Sequence, residues 1–99
     1  MTQKEFWSLY DSGAIQCKVF EWHEGLESKE VTSFEHNGKF FLRVTNEVHG
    51  TSWVESGTHK KRHTRGWIRS QIKEFDTKAH ANNYFKKVFE GCKYKKAQG

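Results

Sequence analysis

The sequence predicts a single α+β domain: an antiparallel sheet of about five strands carrying a short N-terminal helix and an amphipathic C-terminal helix. Three observations lead there. Helical spacing of apolar residues occurs only near the two ends of the chain. The middle alternates with a period of two and is broken by turn dipeptides. The length of 99 residues is that of one domain. Both helices are expected on one face of the sheet.

Taking the elements in order, Thr2 to Glu5 fits a capping box, with Phe6, Leu9 and Tyr10 at helical spacing and Ser12-Gly13 as a stop. Trp7 points off that stripe. Ile15 to His23 is β-prone and ends at the Glu24-Gly25 turn. Its apolar residues fall on both parities, which requires either two covered faces or a bulge. The polar segment 26–30 reads as a connection. Val31–His36, Asn37-Gly38 and Lys39–Asn46 form a hairpin, because both turn residues accept positive φ. Phe40, Leu42 and Val44 then share one face, and Phe41, Arg43 and Thr45 the other.

His49-Gly50 reads as the next turn, Thr51–Ser56 as a short strand and Trp67–Phe75 as the last. In that last strand Ile68 and Ile72 are expected to face the core, and Trp67 lies on the same side as Arg69. Thr77 or Asp76 caps the final helix. Its stripe is Ala81, Tyr84, Phe85, Val88 and Phe89, and Gly91 is the expected C′ residue. Lys86 and Lys87 suit the C-terminal end of its dipole. From about residue 92 the chain reads as a frayed basic tail.

Aromatic residues make up 15% of the chain, so rings rather than aliphatics must fill the core. No apolar run approaches the ~20 residues that span a bilayer, and the first residues lack the order of a signal peptide. A cytoplasmic protein is expected. Cys17 and Cys92 form no CxxC and are expected to be free thiols.

The net charge of +5 is unevenly spread. Residues 1–58 carry −4 and residues 59–99 carry +9. Lys60, Lys61, Arg62 and Arg65 are concentrated between Trp53 and Trp67, with His59 and His63 interleaved, Arg69 just beyond and no acid from His59 to Arg69. Gly57 and Gly66 bracket the run, which predicts a basic loop over 59–69 joining two strands. Such a concentration attracts polyanions. The expected function is nucleic-acid binding through Lys60, Lys61, Arg62, His63, Arg65, Trp67 and Arg69, with Trp67 as a stacking platform beside Arg69. If most of the five cations engage duplex, log K falls with log salt at a slope of roughly −3 to −4.

The alternative partner is an acidic protein surface, the chain then serving as an interaction or inhibitor module of phage type. A third possibility is a metal-independent ribonuclease using His59 or His63 beside Arg62 and Arg65, with Glu55 as base. No Ser/His/Asp or Cys/His set is evident, so no catalytic residues are assigned. His59 and His63 have the spacing of HExxH, but Lys60 and Lys61 occupy its centre and no third ligand is near. No metal and no cofactor is expected.

The segment 38–95 resembles a WGR domain, a small nucleic-acid-binding module. Trp53-Val54-Glu55-Ser56-Gly57 keeps the first Trp and the last Gly of the Trp-Gly-Arg-x-Gly signature. Phe75, Ala81, Phe85 and Phe89 match the helix-entry and helix positions, and Lys39-Phe40-Phe41 the strand opening. The resemblance implies an antiparallel sheet, a signature at a strand end and a C-terminal helix. It departs where Val54-Glu55 replaces Gly-Arg, so only Trp53 and Gly57 carry over and the family's phosphate-contacting arginine has no counterpart. Any binding then shifts to the 59–69 segment.

Overall fold

A computed structural model describes residues 1–54, 61–64 and 66–98, with side chains described at 1–50 and 66–97. The element order is α1 (Gln3–Asp11), β1 (Lys18–Glu24), β2 (Glu27–His36), β3 (Lys39–Val48), β4 (Thr51–Val54), β5 (Lys61–Thr64), β6 (Trp67–Phe75), α2 (Lys78–Val88) and β7 (Lys95–Gln98). Five strands form an antiparallel sheet in the order β6-β3-β2-β1-β7. The α+β class and the strand number are as the sequence predicts.

The membership differs in two places. The strand expected at Thr51 does not join the main sheet; among the described residues, β4 pairs with β5 alone. The fifth place is taken by β7, in the segment expected to fray. Tyr94 explains its order: its ring lies 4.7 Å from Phe89, 5.1 Å from Phe85 and 6.0 Å from Phe20, between centroids. An aromatic anchored to α2 and β1 together holds the chain that follows it against the β1 edge.

The two helices lie on opposite faces rather than on one. Period-two alternation in β2 and β3 supplies an apolar row to each side. Val31, Leu42 and Val44 pack with Ala81 of α2 and with Phe89 at its C-terminal end. Phe34 and Phe41 pack with Phe6 of α1 and Ile15. The mixed parity before and within β1 has the same cause. Ile15 and Cys17 lie under α1, while Phe20 and Trp22 lie on the α2 side. Both faces are covered, and a register shift against β7 falls between Val19 and Phe20. Cys17 and Cys92 belong to different clusters and are free. Burial raises the Cys17 thiol pKa, since the thiolate is poorly solvated there.

Local signals place the elements well. The Glu5 amide donates to Thr2 Oγ1 at 3.1 Å and the Thr2 amide to Glu5 Oε1 at 3.3 Å, completing the capping box. Those hydrogen bonds hold the Glu5 carboxyl below its usual pKa. Phe6 is 1% exposed, and burying such a ring contributes about 1.5–3 kcal/mol. Arg43 reaches up from β3 and donates to Gln3 Oε1 at 2.8 Å, its guanidinium 5.2 Å from the Phe6 ring and 4.9 Å from the Trp7 ring. Desolvation there lowers the Arg43 pKa, with Glu30 opposing the effect. Trp7 is thus exposed but engaged, whereas Tyr10, expected in the buried stripe, is exposed.

Asn37 and Gly38 both take positive φ, 52° and 75°, between His36 and its partner Lys39. Segment 26–30 is not a connection: β2 begins at Glu27, and Gly25-Leu26 closes a tight β1–β2 hairpin. Thr77 caps α2 by accepting from the His80 amide, and Lys39 bonds Asp76 just before it. Phe89 is the C-cap, so Gly91, with φ 75°, lies one residue beyond the expected C′ position. No helix among the described residues is long and apolar enough to cross a membrane.

Candidate nucleic-acid interface

The β3–β6 ladder runs from Phe40–Phe75 to Val48–Trp67. Pairing resumes at Thr51–Thr64 and continues through Ser52–His63 and Trp53–Arg62 to Val54–Lys61. Two residues intervene on each strand, His49 and Gly50 on one side and residue 65 and Gly66 on the other. The register is therefore kept across the break. β3–β4 and β5–β6 form one long antiparallel ribbon whose distal part leaves the five-stranded sheet. His49-Gly50 is consequently not a turn, as expected from its composition, but an interruption within a continuing strand.

The two chains touch closely at that interruption. A Cβ placed on Gly66 would lie 2.6 Å from the Gly50 nitrogen and 3.0 Å from the Val48 carbonyl oxygen, both backbone atoms. Only glycine fits without displacement. Gly66 thus serves as the close-contact point of a neck, not merely as the end of a loop.

The predicted 59–69 loop is overturned in part. Residues 61–64 form β5, so Lys61, Arg62 and His63 sit on a strand with Val54, Trp53 and Ser52 opposite them. A continuing ladder satisfies their backbone groups in pairs, which a loop would leave to water. Lys60 and Arg65, like Glu55, Gly57 and His59, lie outside the described residues.

Trp67 and Arg69 are brought together as their alternation predicts. The guanidinium lies 5.6 Å from the ring, and Trp67 is 50% exposed. Further along the same face, Lys73 Nζ lies 5.7 Å over the Tyr84 ring of α2. Period-two alternation carried that signal at Lys73, although the sequence reading confined the site to the basic run. Across the ladder from Arg69 stand Asn46, Lys29 and Trp22, one per strand. Lys29 Nζ donates to the Val88 carbonyl at 3.0 Å, closing the C-terminal end of α2, and lies 5.8 Å from the Trp22 ring. Sequence reasoning missed Lys29 because it took 26–30 for a connection.

Ile68, expected in the core with Ile72, is 67% exposed. Both occupy the α1 side, but α1 reaches only Ile72, which packs near Phe6 and Phe41. Ile68 pairs with Glu47 at the end of the sheet that α1 leaves open. Glu21 and Glu30 stand opposite each other on that same side. The side of Trp67, Arg69, Lys73 and Lys29 thus gathers cations and aromatics, with Glu27 and Glu24 at its end across Val48 from Trp67, while the open part of the other side carries Glu21, Glu30 and Glu47 with Lys95 opposite Glu21.

Among the described residues no three His, Cys, Asp or Glu side chains gather as metal ligands. No family model matches the chain, and neither the curated proteins nor the solved structures contain a match.

Proposed function

We propose that the protein binds nucleic acid, as a binding module rather than a catalyst, through the basic ribbon of β4 and β5 and the Trp67–Arg69–Lys73 row at its root. The observation that carries this reading is the continuing register. It turns the basic run of the sequence into a two-stranded ribbon that leaves the sheet next to an exposed tryptophan. A ribbon of that kind fits the B-DNA major groove, about 12 Å wide. Lysine and arginine contacts to phosphate supply affinity through counterion release. The half-exposed Trp67 ring offers surface for a stacked base, with Arg69 available to the phosphate beside it. The WGR-like residue Trp53 falls within this ribbon, on β4 opposite Arg62.

The test is a titration of labelled duplex DNA, single-stranded DNA and RNA at two salt concentrations. Binding that weakens with salt, and weakens further on charge reversal at Lys60, Lys61 and Arg62, is expected for at least one of the three. Absence of salt-sensitive binding to all three would refute the reading and leave an acidic protein surface as the partner of the same cations.

A further inference from the structure

The two edges of the sheet are unlike. β7 is four residues long and carries Lys95 and Lys96, a short cationic edge of the kind that discourages further pairing. β6 is nine residues long and, among the described residues, has β3 as its one neighbour in the sheet. It begins with Trp67 and Ile68, half and two-thirds exposed, and Ile68 is the most exposed large hydrophobic among the described residues. A long edge strand with apolar side chains offers a row of backbone donors and acceptors to another strand.

We infer that β6 pairs antiparallel with β6 of a second copy of this chain, about a two-fold axis through Ser70. Among registers that pair five or more residues of β6, the strand's own sequence selects that one. Centred on Gln71, the pairing sets Arg69 directly against Lys73 of the other copy; centred on Arg69, it sets arginine against arginine. Like charges directly opposite are destabilising. Centred on Ile72, it avoids repulsion but leaves Ile68 uncovered. Centred on Ser70, Arg69 meets Gln71, Lys73 meets Trp67 and Ile68 meets Ile72, each contact occurring twice by symmetry. Two isoleucine pairs then cover the exposed Ile68 on the α1 side. On the α2 side lysine stands beside tryptophan, and no like charges are opposed.

The result is a continuous ten-stranded sheet with the two ribbons leaving at opposite ends. The paired stretch is short, so association depends on concentration. The pairing is independent of nucleic acid and is read without it.

The experiment combines sedimentation velocity over a concentration range with a register-specific cross-link. In the two-fold pairing, opposed Cα atoms stand about 4.5–5.5 Å apart, within the reach of a disulfide. Ser70→Cys under mild oxidation is therefore expected to link the two copies through position 70, seen by mass spectrometry as a disulfide-joined pair of identical peptides. A shift of the axis to residue 71 separates those atoms to about 8 Å and prevents the link. The unmodified protein is expected to sediment as a dimer at high concentration, and Ile68→Lys as a monomer with an unchanged circular dichroism spectrum. A monomer at every concentration up to the millimolar range overturns the inference. So does a dimer that survives Ile68→Lys, or one in which Ser70→Cys fails to cross-link.

Discussion

Gly66→Ala tests the neck of the ribbon directly. Gly66 has no positive φ, so alanine suffers no backbone penalty of its own. The penalty arises through space. The new methyl would sit 2.6 Å from the Gly50 nitrogen, 3.0 Å from the Val48 carbonyl and 3.2 Å from the Gly50 Cα. All three are backbone atoms of the facing strand, so no side chain can swing aside; the strands must separate locally. Overpacking of this kind costs about 1–3 kcal/mol. For a domain of this size that lowers the thermal midpoint by roughly 4–8 °C per kcal/mol. The assay is thermal and urea unfolding of Gly66→Ala beside Gly25→Ala. Gly25 has nothing within 4 Å of its Cβ position and a φ of +59°, so its penalty is conformational and spares the ribbon. Nucleic-acid binding, measured on the folded fraction, should fall for Gly66→Ala and stay level for Gly25→Ala. A Gly66→Ala protein as stable as the parent, with unaltered binding, would show that the strands do not meet at this point.

Other outcomes follow from the same geometry. Trp67→Ala should weaken single-stranded binding by ~1–3 kcal/mol, roughly 5- to 150-fold, with little change in unfolding midpoint because the ring is half exposed. Arg69→Gln with Lys73→Gln should reduce the magnitude of the duplex salt slope by about 2, read from a log–log plot of affinity against salt. The Lys39 hydrogen bond holds the Asp76 carboxyl below its usual pKa, so its contribution to stability is present above the unfolded-state pKa and lost as pH falls through the folded one. Urea midpoints should therefore decline below about pH 4, and less steeply in Asp76→Asn.

Much of the local structure was legible in the residues themselves. The Thr2–Glu5 capping box, the Asn37-Gly38 turn and the Thr77 cap each depend on chemistry within a few positions. The two-sided alternation of β3 and the helical stripe of α2 were equally plain. What failed had a common cause. Segment 26–30 is polar, yet Glu27–Glu30 pair with both β1 and β3. The tail is basic, yet Tyr94 anchors it among Phe20, Phe85 and Phe89. Polarity reports exposure of side chains, whereas strand formation depends on a partner for the backbone.

For the candidate site, the sequence by itself determined the concentration of cations, its two tryptophans and the shared face of Trp67 and Arg69. Those follow from composition and from the two-residue repeat of a strand. Tertiary structure alone decided that Lys61–Thr64 is a strand, that Gly50 and Gly66 meet backbone to backbone, and that the helices occupy opposite faces. It also set Lys73 and Lys29 on the face of the exposed tryptophan and left Ile68 uncovered. Each of these depends on register between segments far apart in the chain. That register is set by which apolar rows can be buried together, and no short stretch of sequence contains it.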